Sequence, residues 1–495
     1  MSSHEDGPVD QDPVAAELPP SSSIENNATT EPVITVTIGA TVPTGFEPTA
    51  VEEVMEKIGV DARISTERGR IYFAISTDKL SQVHLLKSVD NLFVVVDEYH
   101  NYPFKESKEE TLMELQQLAS KLPWTNALEV WKLNCMLKKK KRPRKGGKVK
   151  NVKPNGEGTS VTEDDVEQQE SSQASSSEDQ TKEEDAPDIE TSAQNNENTP
   201  SETKPIKFRV TCSRAGDKHN FSSSEAARDF GGAVQQFFQW KADMTKFDVE
   251  VLLNIHNEEV VIGIALTEES LHRRNITHFG PTTLRSTLCY GMLRLCQPQE
   301  SDIIFDPMCG TGAIPLEGAL EFRNSFFIAG DNNDVAINRT VSNICHIQKR
   351  MADKGGVYGL PIDTVRWDLC HLPIRTSSVD VIISDMPFGK RMGSKKKNWN
   401  LYPSCLREMA RVSRPGSGRA VLLTQDKKCF AMVLSRMGGL WRRTRTVWVN
   451  VGGLHAGVYL LKRTAEMFVK IPENVHESRH TVNKDLDEKH DADGC

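Results

Sequence analysis

The stretch Asp306-Pro-Met-Cys-Gly-Thr-Gly-Ala-Ile-Pro315 follows the apolar run Ile303-Ile-Phe305 and leads into a helical pattern. It therefore reads as the turn from a buried strand into a helix. Gly310 and Gly312 permit a tight turn and a close approach of the backbone to a ligand at the carboxyl edge of a sheet. A dinucleotide-binding fingerprint would place a third glycine where Pro315 stands, which counts against a turn built to hold phosphate. An ordinary glycine turn is the plain alternative, and the residues downstream decide between the two.

From about His278 to Arg463 short apolar runs alternate with helical stretches, the pattern of an α/β fold with a parallel sheet covered on both faces. The strands are IIFD, FFIAGD, TVRWD, VDVIISD and RAVLLT, and TRTVWVNVGG with GVYLLKR reads as a closing antiparallel pair. Most of the early strands end in an acid. One nucleoside ligand lying across the sheet edge would meet these acids in turn. Asp331, about twenty residues after Gly312, is placed for two ribose hydroxyls. Asp368 is placed for an adenine amino group and Asp306 for a methionine ammonium, with Cys309 and Leu369 beside them. That set describes S-adenosylmethionine. Each acid taken singly would more commonly cap a helix.

Asp385-Met-Pro-Phe388-Gly ends the fourth strand. An exocyclic amine of a purine is a weak nucleophile, because its lone pair is delocalised into the ring. Asp385 and the carbonyl that follows can accept its two N–H bonds, Pro387 shapes the turn, and Phe388 can stack on an extruded base. Next comes Gly389-Lys-Arg-Met-Gly-Ser-Lys-Lys-Lys-Asn-Trp399, in which Lys390, Arg391 and three further lysines meet no acid. Such a loop can neutralise phosphates beside a target base, or it is simply a solvated surface loop. The stretch Trp441-Arg-Arg-Thr-Arg445 invites the same two readings.

Upstream, VITVTIGA from Val33, a helix at TAVEEVMEKIG, RGRIYFAI, a helix at SQVHLLKSV and NLFVVVDEY form a small α+β unit, and TLMELQQLASKL adds a helix before order stops at Leu137. KKKKRPRKGGKVK from Lys138 then gives way to an acidic, Ser/Gln-rich run, expected to be a solvated linker whose basic block can also serve nuclear import or RNA contact. Order resumes with FRVTCSR, a serine-capped helix carrying Ala227, Phe230, Val234 and Phe237 on one face, and the strands DVEVLLNIH and EVVIGIALT. The resulting division is a disordered tail (1–31), the α+β unit (32–137), a charged disordered insertion (138–203), a second small module (204–275), the α/β domain (276–465) and a polar tail (466–495).

The pairing of Asp306-Pro-x-x-Gly-x-Gly with Asp385-x-Pro-Phe resembles the amino-methyltransferases. Phe208-Arg-Val-Thr-Cys-Ser-Arg214-Ala-Gly-Asp-Lys218-His-Asn-Phe221 resembles the start of a THUMP domain. Together they resemble the THUMP-domain tRNA guanine-N2-methyltransferases. The resemblance implies a ferredoxin-like unit and a THUMP domain that hold the tRNA's 3′ end, with Arg214 and Lys218 among the RNA contacts. It also implies a Rossmann-like catalytic domain using S-adenosylmethionine and a target guanosine in the acceptor stem, at position 6 or a neighbour. A small zinc-binding activator subunit covering an apolar face of the catalytic domain is a further implication. Met386 departs from the Pro usual in the family's tetrad.

Other readings are weaker. A DNA adenine or a protein glutamine amide suits the same tetrad but not the THUMP-like segment. Cytosine C5 chemistry needs a cysteine where Phe388 stands. A non-catalytic RNA-binding protein would not need the glycines and acids intact. The ten cysteines show no metal-ligand spacing, so no metal site is expected, and reduced thiols suit a cytoplasmic protein that is also a candidate for the nucleus. The formal charge of −8 reflects acids in the linker and tails and does not argue against nucleic acid. The opening MSSHEDGPVD predicts no secretory signal, and no apolar run approaches the roughly 20 residues of a membrane helix. Deleting residues 150–200 is expected to leave methyl transfer nearly unchanged, since that run lacks the apolar side chains to join a core; a loss of about tenfold or more in turnover would contradict it.

Overall fold

The computed structural model describes residues 34–65, 69–141, 204–216, 219–356, 359–389 and 393–469. The tail 1–31, nearly all of the insertion 138–203, most of the segment after 466, and Lys218, Lys390 and Arg391 lie outside them.

The first unit runs β1 (Thr35–Thr41), α1 (Glu47–Ile58), β2 (Ala62–Ile64), β3 (Arg70–Ser76), α2 (Leu80–Val83) and β4 (Asn91–Tyr99). Its βαββαβ order with sheet neighbours β2-β3-β1-β4 is ferredoxin-like. The helical pattern at SQVHLLKSV yields only the single turn of α2. His84 leaves helical pairing there, its Nε2 lying 2.6 Å from Asn134 Oδ1, and Leu86 and Val89 enter the core from irregular backbone.

Two helices follow, α3 (Lys108–Lys121) and α4 (Trp124–Lys141), the second running four residues past the expected end at Leu137. Then come β5 (Lys207–Ala215), α5 (Ser223–Phe238), β6 (Lys241–Ala242), β7 (Val249–His256) and β8 (Glu259–Ala265). Ser222 and Glu225 close a capping box at the start of α5. The buried face of α5 is Ala226, Phe230 and Val234, not the stripe with Ala227 and Phe237: Phe237 is 49% exposed, and Phe238 turns inward to stack on Trp240 at 4.2 Å. The helix ends there with Gln239 left-handed, and the period slips by one residue. β4 pairs antiparallel with β8, so the two modules share one eight-stranded sheet.

The α/β domain comprises α6 (Ser286–Cys296), β9 (Ile303–Asp306), α7 (Ala313–Glu321), β10 (Phe326–Asp331), α8 (Asp334–Ala352), β11 (Ile362–Arg366), β12 (Val381–Asp385), α9 (Lys395–Val412), β13 (Arg419–Thr424), α10 (Lys427–Arg436), β14 (Trp441–Val451) and β15 (Leu454–Arg463). Its seven-stranded sheet has the order β11-β10-β9-β12-β13-β15-β14, with β15 antiparallel to both neighbours. This is a Rossmann-like sheet with a reversed hairpin at one edge. The central strands are buried on both faces, which is why they read as apolar runs rather than alternations.

The two halves share a core. Phe46 lies against Gly291, where a Cβ would come within 2.7 Å of its ring, and Lys57 pairs with Glu321 at 2.8 Å, Arg294 with Glu56 at 2.6 Å. Thr287 Oγ1 donates to Asp90 at 2.6 Å. In the connecting segment Arg274 and Asn275 both donate to Glu317 of α7, which is 2% exposed. Glu317→Ala would leave Arg274 facing a dry pocket without its carboxylate and is expected to cost about 3–5 kcal/mol, seen as a lowered urea midpoint with an unchanged far-ultraviolet circular dichroism spectrum.

Candidate active site

The order of the sheet reverses between β9 and β12, and at that point in an open α/β sheet a crevice forms outside the strand ends. Here it is a cavity of ≈ 410 Å³. Asp306, Cys309, Gly310, Asp331, Asp368, Leu369, Asp385, Pro387 and Phe388 all line it. Gly312 stands just behind them at the start of α7.

The glycine loop is held from three sides. Gly310 and Gly312 have φ of 57° and 76°, a left-handed backbone that other residues enter at a cost. A Cβ on Gly312 would lie 2.6 Å from Thr340, whereas one on Gly310 meets nothing within 4 Å. The absence of a side chain at Gly310 thus leaves that part of the cavity open. Thr340 Oγ1 donates to the Gly310 carbonyl at 3.2 Å, Trp367 Nε1 to the Pro307 carbonyl at 3.2 Å, and Asn343 Nδ2 to the Thr311 carbonyl at 3.0 Å.

The acids sit in three different environments. Asp331 accepts from Gly310 N and Asn333 N, both at 3.0 Å, which fixes its carboxylate at the end of β10. Asp368 is exposed and accepts from Cys370 N at 2.9 Å, capping a short turn while facing the cavity; that backbone bond holds its carboxyl below the usual range. Capping and ligand contact are compatible, because the carboxylate keeps further lone pairs. Asp306 is 3% exposed and accepts from Ser384 Oγ at 2.7 Å and Met308 N at 3.1 Å. Burial pushes it up to about 7. Burial, and then the neighbouring Asp306, push Asp385 up to about 8; its Oδ1 is out of solvent and has no hydrogen-bond partner among the described residues.

The tetrad is braced from behind. Asn398, 1% exposed, donates from Nδ2 to the Pro387 carbonyl at 3.0 Å and to Asp426 Oδ2 at 3.1 Å. Tyr402 O–H donates to the same carbonyl at 2.6 Å. The Pro387 carbonyl is thereby turned away from the cavity, while the Phe388 ring packs against the core at its rim.

Several lining residues carried no sequence signal of their own. Thr282, Thr283, Leu284 and Arg285 come from the segment before α6, and Val451, Gly452 and Leu454 from the β14–β15 turn. The sequence shows TRTVWVNVGG and GVYLLKR as an antiparallel pair, but only the topology brings the turn between them over the cavity. Arg214 is not at the cavity. It lies in β5, half-buried, with one guanidinium nitrogen 3.4 Å from His219 Nδ1. Away from the site, Glu98, His100 and Glu259 bring ligand atoms within 4.8 Å of one another across β4 and β8, and Arg63 pairs with Glu98 there. Spacing along the chain could not have shown that cluster.

The residues present fit S-adenosylmethionine. A cationic nucleoside amino acid meets three carboxylates and one unpartnered carboxyl oxygen, and Gly310, where a side chain would meet nothing within 4 Å, leaves room for it.

Comparison with known proteins agrees. A model of the RMKL-like methyltransferase domain matches residues 273–457, and a THUMP domain model matches residues 183–265. A Bos taurus protein named tRNA (guanine(6)-N(2))-methyltransferase THUMP3 is 61% identical over 454 residues, covering 88% of this chain and 90% of its own length. The Homo sapiens protein of that name is 58% identical over 464 residues, covering 90% and 92%. Among solved structures, TrmN from Thermus thermophilus superposes with a TM-score of 0.59 at 21% identity, covering 86% of this chain and 99% of its own, and so speaks for the fold. The chain therefore belongs to the THUMP-domain tRNA guanine-N2-methyltransferases.

Proposed function

We propose that this protein methylates the exocyclic N2 of a guanosine in the acceptor stem of tRNA, at position 6 or a neighbour, using S-adenosylmethionine. The observation that carries the reading is the buried, unpartnered Oδ1 of Asp385 beside Phe388 in the same cavity as Asp331 and the glycine loop. Relatives that share about 60% of its residues over most of the chain carry that activity in their names.

When bound, S-adenosylmethionine supplies an electrophilic methyl group on a sulfonium centre. Asp331 would hold its ribose, Asp368 and Leu369 its adenine, and Asp306 its ammonium. Asp385 and the Met386 carbonyl accept the two N–H bonds of the guanine amine, which directs the nitrogen lone pair out of the plane of the ring. Phe388 stacks on the extruded base. The proton that the amine loses passes to Asp385, whose dry setting favours the neutral acid. The eight-stranded sheet is fused to the catalytic domain through a common core, so RNA bound on one is held at a fixed distance from the other.

RNA contacts at Arg214, Lys218, Lys390 and Arg391 belong to the same reading. So does a small zinc-binding activator subunit. It rests on the family resemblance alone. We assign the protein to the cytoplasm and, through the basic block after Lys138, also to the nucleus. The nine described cysteines, all free thiols, suit either compartment. Mass spectrometry of nucleosides from tRNA incubated with the protein and S-adenosylmethionine, with and without an activator, tests the product directly; the expected product is N2-methylguanosine.

Two further outcomes follow from the carboxyl pair. Both acids titrate above the ordinary carboxyl range, so their protonated forms stabilise the fold below about pH 4 and that contribution fades as pH rises through 7 to 8. A cationic ligand reverses the preference and expels protons. Cofactor affinity is expected to drop by up to about tenfold for each pH unit below about 7 as Asp306, the ammonium's partner, takes up its proton, with proton release visible as buffer-dependent heat in calorimetry; flat affinity across that window would count against that role for Asp306. Asp385→Ala is expected to lower single-turnover methyl transfer by roughly 10² to 10³ while cofactor and tRNA affinity survive. Near-normal transfer would remove Asp385 from the chemistry.

A further inference from the structure

The hairpin that closes the cavity on one side also carries an exposed aromatic plate. Trp448 on β14 is 43% exposed, three residues before Val451, the first residue of that turn to line the cavity. Its backbone carbonyl is wedged against Gly45 of the first unit, where a Cβ would lie 2.2 Å away, so the strand's position is set from behind. The ring is dressed on one side. His455 stacks at 5.5 Å with an interplanar angle of 18°, and Lys427 Nζ lies 4.6 Å from the ring centroid. Lys427 Nζ is also 2.5 Å from His455 Nδ1, a contact that groups on opposite faces of an indole could not make. Both therefore share one face. No ring stacks on the other face among the described residues, and Tyr459 meets the indole edge-on at 6.2 Å.

Charge around this plate is one-sided. Lys427 and Lys428 open α10, and neither pairs with a carboxylate among the described residues, although cations elsewhere in the domain such as Arg274, Arg411 and Arg419 do. The first turn of α10 contains no acid beyond its cap. Cations at that end of a helix oppose the helix dipole, so the arrangement is unfavourable until an anion arrives. The patch also adjoins the tetrad, because Asn398 Nδ2 bridges the Pro387 carbonyl and Asp426, the residue before Lys427.

We propose that Trp448, His455, Lys427 and Lys428 form a docking site for the RNA strand next to the catalytic cavity: a base unstacked by extrusion of the target guanosine lies on the open face of Trp448, and the adjoining phosphate lies against the two lysines. This deepens the guanine-N2 reading above and rests on it. Extrusion of one nucleotide leaves its neighbours and its former partner without a stacking surface. An aromatic plate flanked by cations takes any base by its π-face and any backbone by its charge. A patch of this chemistry at the mouth of an amine-methylating cavity meets RNA before it meets anything else.

The test uses the full-length protein and an unmodified tRNA transcript, with anisotropy binding at several salt concentrations, single-turnover methyl transfer and cofactor calorimetry run in parallel. Trp448→Ala is expected to weaken tRNA binding about fivefold or more, the lower end of the value of one stacked base, and Trp448→Phe to recover most of it. Lys427→Ala is expected to reduce the slope of log affinity against log salt by about one. Cofactor affinity and melting temperature should stay at the wild-type level in all three, which a purely structural role for the hairpin would not allow. Wild-type tRNA affinity, salt slope and methylation in both alanine variants overturn the docking site and leave the guanine reading intact. A wild-type protein that neither binds nor methylates tRNA overturns both.

Discussion

Two carboxyl groups end adjacent strands: Asp306 on β9 is buried and well supplied with donors, and Asp385 on β12 is half-buried, with one carboxyl oxygen out of solvent and without a hydrogen-bond partner among the described residues. Burying unpaired acids is costly, and an enclosed pair resists carrying two negative charges at once. A fold tolerates this where a cation is to be received. The surrounding structure works to keep the pair in place: Ser384 and Met308 N tether one acid, Trp367 and Asn343 pin the loop that follows it, and Asn398 with Tyr402 fixes the turn that follows the other. These braces come from β11's end, α8 and α9. The site is therefore a property of the whole sheet edge, and moving any of these elements would move the acids.

The same economy of motion governs the amino-terminal half. An eight-stranded sheet made of two modules meets α6 and the β14–β15 hairpin through the loop after β1 and the residue before β4, by way of Phe46, Gly45 and Asp90. A hinged pair of domains would let the distance between the eight-stranded sheet and the cavity fluctuate. A shared core of this extent does not. The interface is kept rigid by buried apolar contact reinforced by ion pairs such as Lys57–Glu321.

The catalytic strands were legible because each is apolar on both faces and ends in a polar residue, so the runs have sharp edges in the sequence. TVRWD is the exception. Its strand occupies Ile362–Arg366, two residues earlier, because Trp367 leaves the ladder to cover Gly330 and reach the Pro307 carbonyl. The acids and the tetrad were legible for the same reason as the strands they terminate. Thr282, Arg285, Asn343 and Asn398 were not. They act through contacts tens of residues away along the chain, such as Asn343 with His278 and Thr311, and no local spacing encodes those. In the first half, the turn at α2 and the inward face of α5 defeated periodicity at points where one contact, the tertiary pair His84 with Asn134 or the local stack of Phe238 on Trp240 past the helix end, outweighed a helical pattern of a few residues.

Met386 shows how a departure from a family pattern can be absorbed. Proline at that position would stiffen the turn through its ring but would have no N–H to give. Met386 donates its N–H to the Leu423 carbonyl at 2.8 Å, extending the pairing of β12 with β13 by one step past Asp385, and its side chain is 1% exposed within the cluster of Phe305, Tyr402 and Phe430. One backbone hydrogen bond and a buried side chain replace the constraint of a ring. The carbonyl of Met386 is then fixed by the sheet itself, and Pro387 behind it is fixed by Asn398 and Tyr402. The two acceptors proposed for one amine, Asp385 and the Met386 carbonyl, therefore belong to the end of a strand rather than to a free loop. Reactive geometry of this kind is held more tightly on a strand than on a loop, so the substitution preserves the alignment that the tetrad exists to provide.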